Sequence, residues 1–102
     1  MNPVLDLSSR LSALPIIYGS GDFALETRRR VLTLAPDCVA VALPPSFADP
    51  VEEGVARLPQ ISLALQREIS LEGEYNFVPI DPCQGVVAAV RTALELGIDR
   101  AY

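Results

Sequence analysis

The sequence has 102 residues, enough for one small domain, and a formal net charge of −5. This charge excludes nucleic acid as a partner, because nucleic-acid binding requires a Lys/Arg footprint, and the absence of histidine removes the commonest general base and metal ligand. No signal peptide and no apolar stretch of membrane-spanning length is recognisable, so we expect a cytoplasmic protein without a membrane partner.

The N-terminal segment is predicted to be helical. Asn2 and Pro3 have the pattern of a helix cap followed by proline at the first helical position. Apolar residues then recur at helical spacing at Val4, Leu7, Leu11 and Leu14. We therefore predict an amphipathic helix from Pro3 to about Ala13, ended by Pro15, and a short apolar strand at Ile16–Tyr18.

The next segment has the pattern of a helix followed by a buried strand. The helix is predicted from about Ala24 to Leu34. Its consecutive arginines, 28 to 30, are about 100° apart around the helix, so the first and third lie roughly 200° apart and the three do not form one patch. We interpret them as a solvated face, with a phosphate or carboxylate clamp as the alternative. Cys38–Leu43 is a continuous apolar run typical of a strand covered on both faces, which would bury Cys38.

The second half of the sequence begins with a strong helix start at Asp49-Pro50-Val51-Glu52, where Asp49 is the predicted cap. Ile61, Leu63 and Leu65 alternate with smaller or polar residues. Helical spacing through Ile69 also fits, but we favour a strand. Glu72-Gly73-Glu74 then predicts a turn into a second strand, Tyr75–Ile80, so the two strands would form an antiparallel hairpin.

The last helix is predicted to open at Asp81-Pro82 and to end at Gly97, a natural C-cap. Ile98–Tyr102 would then begin one more strand. This alternation of helices and strands predicts an α/β domain with a parallel-sheet, Rossmann-like three-layer core and one antiparallel hairpin. In that core, strands Ile16–Tyr18 and Cys38–Leu43 would be adjacent and parallel.

The whole chain, residues 1–102, is interpreted as the N-terminal portion of one such domain, incomplete at its C-terminal end. The strand at Ile98–Tyr102 would then have an exposed edge. We therefore expect the partner to be either the remainder of the domain or a second copy in a homo-oligomer, with a small molecule as a further candidate.

Three turns at predicted strand ends are the candidate site, because ligands of open α/β sheets bind beyond the carboxyl ends of the strands. The turns are Gly19-Ser20-Gly21-Asp22, Pro44-Pro45-Ser46 and Asp81-Pro82-Cys83-Gln84. The candidate catalytic residues are Asp22 and Asp81. The candidate ligand-binding residues are Gly19, Ser20, Gly21, Ser46 and Cys83.

Each candidate has a simpler alternative. Asp22 and Asp81 together would suit a divalent cation or acid–base work, but each is also a good helix cap. The glycine turn would suit a phosphate or dinucleotide, yet Ala24 stands in place of the third glycine of that fingerprint, and no acidic residue ends the second strand. Cys83, close to a helix start, is either a reactive thiol or an inert one.

Two stretches resemble the opening of the TraB, ChaN and erythromycin-esterase-like superfamily. The first is Ile16–Asp22, which precedes the strand Pro36–Pro44. The second is Phe77–Pro82, which precedes the helix that leads to Gly97-Ile98. The resemblance spans nearly the whole chain through short motifs.

This resemblance implies a divergent member that binds a small molecule or partner at the strand carboxyl edge without catalysis. The family's first-turn histidine aligns near Asp22 and its second-strand acidic residue with Ala42, while Asp81 aligns with a later acidic position. One alternative is a metal-assisted hydrolase that uses Asp22 and Asp81 with residues beyond this segment. The other is a phosphate- or nucleotide-binding Rossmann-like module.

Overall fold

The computed structural model describes residues 4–67 and 73–102. Within these ranges the chain is a mixed α/β protein with three α-helices and three separate two-stranded sheets, in place of the single parallel sheet expected. The elements in chain order are β1 (Leu5–Asp6), β2 (Ser12–Ala13), α1 (Gly21–Leu34), β3 (Cys38–Ala40), a 3₁₀ turn (Pro45–Phe47), α2 (Ala48–Ala56), β4 (Ser62–Arg67), β5 (Tyr75–Ile80), α3 (Gly85–Leu96) and β6 (Asp99–Ala101).

The predicted N-terminal helix is wrong for the described part of that segment; Pro3, where it would begin, lies outside the described residues. In its place β1 and β2 form a small antiparallel hairpin. The Ser12 hydroxyl donates to the Asp6 carboxylate at 2.9 Å, and the Arg10 amide donates to the Ser8 hydroxyl at 3.1 Å. Serine and aspartate side chains that bond locally in this way compete with the helical backbone, and here they outweigh the apolar spacing.

Ile16–Tyr18 is not a strand, so its predicted pairing with the Cys38 strand is also wrong. Ile16 and Ile17 have no regular secondary structure, and Tyr18 lies in a turn. Ile16 lies against the start of α3, where a Cβ added at Gly85 would meet Ile16 side-chain atoms at 3.1–3.3 Å. The Ile16 side chain therefore occupies the space above Gly85. The parallel neighbour of β3 is instead β6, in a register that places Val39 opposite Arg100.

Helix α3 is the central element of the core. Its buried residues are Gly85, Val86, Val87, Ala89, Val90, Thr92 and Ala93. They cover most of the helix surface, because α1, α2 and the β3–β6 pair all pack on it. The helix ends as predicted at Gly97, whose left-handed φ of 69° lets its amide reach the carbonyls of Ala93 and Leu94.

The parallel pair β3–β6 is shorter and more exposed than the sequence predicted. Only Cys38–Ala40 of the apolar run forms a strand. Cys38 and Ala40 are exposed on one face, while Val39 is partly buried on the other. The expectation of a strand covered on both faces, with Cys38 in the core, is therefore wrong, although the parallel direction is confirmed.

Helix α2 forms where predicted but is not capped by Asp49. The 3₁₀ turn leads directly into it: Phe47 occupies the cap position without a side-chain bond, and the Ala48 amide bonds to the Pro45 carbonyl. Asp49 therefore lies in the first turn of α2, where its negative charge still stabilises the helix by interacting favourably with the helix dipole.

The predicted antiparallel hairpin is confirmed, since β4 pairs with β5. Its register places Leu63 opposite Pro79 and Leu65 opposite Phe77. Glu72 of the predicted turn lies outside the described residues. One face of this hairpin packs on α2 through Ala64 and Ile80. The main buried cluster is formed by Phe47, Val51, Val55, Ala64, Ile80, Val87 and Val90. The approach is closest at Gly54, where an added Cβ would lie 3.0 Å from Ile80.

Candidate functional site

The first candidate turn is the N-terminal cap of α1. The Ser20 hydroxyl accepts from the Phe23 amide at 3.5 Å, so Ser20, and not Asp22, is the capping residue. Gly19 has a φ of 73°, a backbone conformation that residues other than glycine rarely adopt. Asp22 is exposed in the first helical turn, where its charge complements the helix dipole.

The third candidate turn is organised by the Asp81 carboxylate. One oxygen accepts from the Cys83 amide at 2.8 Å, and the other accepts from the Gln84 side-chain amide at 3.2 Å. Asp81 therefore closes the turn between β5 and α3 without being the cap of that helix, since Gln84 occupies the cap position. A carboxylate held by two local donors is a stabilising turn residue.

Gln84 joins the first and third turns. Its amide nitrogen donates to Asp81, and its carbonyl oxygen accepts from the Gly19 amide at 3.0 Å. The two turns also meet at Gly21, where an added Cβ would lie 3.8 Å from the Cys83 sulfur. These two turns therefore lie together, although only the third follows a strand. Gln84 was not among the candidate residues, because a glutamine in a turn carries no signal of its distant partner.

Ser46, in the second candidate turn, makes a different connection. Its hydroxyl lies 3.0 Å from the side-chain oxygen of Gln66 on β4. This bond links the 3₁₀ turn to the hairpin rather than to Gly19 or Asp81. The structure thus brings Gly19, Gly21, Asp81 and Cys83 together through Gln84 and engages Ser46 elsewhere.

The chemistry available at the joined turns is limited. Cys83 is an exposed free thiol. Across the described ranges 4–67 and 73–102, no group of three or more His, Cys, Asp or Glu side chains could hold a metal ion. A divalent cation at Asp22 and Asp81 would need further ligands, because such ions take six or more oxygen ligands.

A second polar cluster, Glu52–Arg100–Tyr102, connects α2 to β6. Arg100 donates to both oxygens of Glu52 at 2.9 and 3.4 Å, and the Tyr102 hydroxyl donates to Glu52 at 2.8 Å. The hydrogen bonds from Arg100 lower the pKa of Glu52, while burial, followed by the bond to Glu52, raises the pKa of Tyr102 above its usual range. Sequence reasoning missed this cluster because its members lie far apart in the chain and share no motif.

The arginines of α1 divide between two sides of the helix. Arg29 and Arg30 both bond to Glu26, and these bonds, that of Arg29 foremost, lower the pKa of Glu26. Arg28 instead reaches across to α3, where its guanidinium donates to Glu95 at 2.8 Å. The prediction that the three arginines do not form one patch is confirmed.

A groove runs between α1 and α3 beside Arg28. It has a volume of about 330 Å³ and is lined by Ala24, Leu25, Arg28, Pro82, Val87, Ala88, Arg91 and Glu95. Pro82 places one end of the groove at the third candidate turn.

Comparisons with family models, with curated proteins and with solved structures gave no match for this chain. In the described part of the chain, every helix is too short or too polar to cross a membrane.

Proposed function

We propose that this chain is a non-catalytic assembly domain that binds a second copy of itself through the outer face of the β4–β5 hairpin. The outer face consists of Leu63, Leu65, Arg67, Tyr75, Phe77 and Pro79, which the hairpin register places on the side away from α2, with Arg67 opposite Tyr75 at its edge. Leu63, Leu65, Tyr75 and Phe77 are 56–61% exposed. This contiguous exposed apolar surface is the observation that carries the proposal.

A two-stranded hairpin with apolar side chains on both faces suits an associating protein better than a monomer. The inner face is already used, since Ile80 and Ala64 are buried against α2. Isolated two-stranded sheets are marginally stable in water, and contiguous apolar patches on soluble proteins mark interaction sites. Covering the outer face would complete the burial of the hairpin.

A second copy fits this face by its charge and area. The centre of the face, Leu63, Leu65 and Phe77, carries no charge, so two like faces can meet without repulsion at the contact. Two sheets pack face to face about 10 Å apart. The exposed side chains offer on the order of 500 Å² per copy, or about 1,000 Å² for a pair, which lies at the lower limit of specific interfaces. The expected dimer is therefore weak and depends on concentration.

We further propose that the chain is a divergent, non-catalytic relative of the TraB, ChaN and erythromycin-esterase-like superfamily. Two observations support the loss of catalysis. Ala42 stands where that family has an acidic residue, and alanine can act neither as ligand nor as base. Asp81, which aligns with the later acidic position, accepts two local hydrogen bonds in its turn.

Sedimentation velocity over a micromolar to millimolar concentration series tests the proposal. We expect the wild-type chain to dimerise, and to do so more strongly at high salt, because salt screens the repulsion between two copies of net charge −5. Leu65→Glu should leave a monomer, because a carboxylate would be buried at the centre of the interface.

Leu32→Glu is the matched control, since Leu32 is 47% exposed on α1, away from the hairpin. It should dimerise like the wild type. A wild-type chain that stays monomeric throughout the series, or a Leu65→Glu variant that dimerises equally well, contradicts the proposal.

A further inference from the structure

We propose that the groove between α1 and α3 binds a small organic monocarboxylate with an apolar body. The groove has a volume of about 330 Å³, and its lining extends from Pro82 before α3 to Glu95 near the end of that helix. This size is at the lower end of small-molecule sites, which span roughly 300–1,000 Å³. It would hold a short acyl or aryl chain.

The walls of the groove are apolar over most of its length. Ala24 and Val87, which line it, are buried, and Ala88 is partly buried. Leu25 is 72% exposed although it borders the groove. An apolar ligand would cover this leucine and stabilise the complex in proportion to the apolar area removed from water.

The end of the groove at Glu95 carries an excess of positive charge. Arg28 and Arg91 both pair with the single carboxylate of Glu95, at 2.8 and 3.4 Å. Arg28 also donates to the Thr92 hydroxyl at 3.3 Å. Two guanidiniums and one carboxylate leave one net positive charge, and each guanidinium has five N–H donors, enough to serve a second carboxylate.

The same ratio of two guanidiniums to one carboxylate occurs on the outer side of α1, where Arg29 and Arg30 share Glu26. In the groove this ratio is combined with apolar walls. The chain as a whole is acidic, with a net charge of −5. A ligand with one carboxylate and an apolar chain therefore matches both parts of the groove, whereas a neutral apolar ligand matches only one.

Isothermal titration calorimetry with octanoate tests this proposal, with the uncharged alcohol of the same chain length, 1-octanol, as the comparison ligand. We expect octanoate to bind and octanol to bind at least tenfold more weakly. Arg28→Ala and Arg91→Ala should each lower octanoate affinity by about tenfold, as for the loss of a charge-assisted hydrogen bond. Arg57→Ala, which removes an exposed arginine paired with Glu53 on α2, is the matched control and should bind like the wild type.

Glu95→Gln provides an independent variant that retains the shape of the side chain. It removes the carboxylate that competes for Arg28 and Arg91, so octanoate affinity should rise. A merely structural role for Glu95 would lower the affinity instead, which would contradict the proposal.

Backbone amide chemical shifts locate the ligand. Octanoate should perturb the amides of Ala88 and Arg91, and Leu65→Glu should leave binding unchanged, because the groove is separate from the hairpin face. The proposal is overturned if octanoate does not bind, if octanol binds as tightly, if Arg28→Ala binds normally, or if the perturbed amides lie on the hairpin.

Discussion

At the scale of single residues, the best-connected polar side chain of the candidate site is Gln84. Its two ends bond to Asp81 and Gly19, so it joins segments 65 residues apart in the chain. This glutamine is one of the contacts that hold the residues singled out by the sequence close together, beside the packing of α1 on α3. Asp81 and Ser20 have structural roles in their turns, as a turn acceptor and as the α1 cap.

Gln84→Ala should destabilise the protein by about 1–2 kcal/mol, since it removes two hydrogen bonds that are each worth roughly 1 kcal/mol net. Urea unfolding followed by circular dichroism measures this loss. Gln60→Ala, at an exposed position in the turn after α2, is the control and should change stability by less than about 0.5 kcal/mol. Equal effects of the two substitutions would mean that the Gln84 bridge does not stabilise the fold.

At the scale of the elements, the packing of α2 on the hairpin depends on a glycine. An added Cβ at Gly54 would lie 3.0 Å from Ile80 Cγ1 and 3.2 Å from Ser62 Oγ, closer than ordinary van der Waals contact. Gly54 therefore lets the helix approach the inner face of the hairpin. The outer face of the same hairpin has no such neighbour among the described residues, and its apolar side chains are exposed.

Gly54→Ala should destabilise the protein by about 1–2 kcal/mol, because the overpacking of Ile80 outweighs the higher helix propensity of alanine. Gly21→Ala is the matched control. It also lies within a helix, but its added Cβ would meet Cys83 only at 3.8 Å, so this substitution should be neutral or slightly stabilising. A stable Gly54→Ala protein, measured by thermal and urea unfolding, would show that α2 can move away from the hairpin at little cost.

At the scale of the whole molecule, the cluster of Glu52, Arg100 and Tyr102 holds the end of the described chain to its middle. These residues connect β6 to α2 across about 50 positions of sequence. Glu52 has a lowered pKa in the folded protein, and Tyr102 has a raised one. The cluster should therefore make stability depend on pH at both extremes.

The pH dependence of stability at acid pH follows from Glu52. Since its folded pKa is below the unfolded value of about 4.5, the ionised form stabilises the fold above that pH, and this contribution is lost as the pH falls through the folded pKa. The pH dependence at alkaline pH follows from Tyr102. Because its pKa is raised in the folded protein, the neutral phenol stabilises the fold below a pH of about 10, and this contribution is lost as the pH rises further. In urea unfolding measured from acid to alkaline pH, Glu52→Gln should reduce the change in the free energy of unfolding at acid pH, and Tyr102→Phe should reduce the change at alkaline pH. An unchanged profile in both variants would contradict this account.

The part of the fold that could be predicted from the sequence is the part that local patterns encode. The helices at Gly21–Leu34 and Gly85–Leu96, and the hairpin of β4 and β5, follow apolar periodicity and turn residues over short distances. The N-terminal helix could not be excluded in this way, because Asp6 and Ser12 bond across a hairpin that competes with helical spacing. Of the candidate site, the polar turn residues could be identified from the sequence, but the Gln84 bond that joins the first and third turns could not.

The sequence by itself determined the three α-helices and the β4–β5 hairpin, which charges are absent, and which turns carry polar side chains, because these follow from residue type and spacing. Only the tertiary structure decided that β3 pairs with β6, that Arg28 separates from Arg29 to reach α3, and that the outer hairpin face is exposed. These outcomes depend on which distant surfaces fit together. The space that Ile16 fills above Gly85 is one example of a contact that no local pattern records.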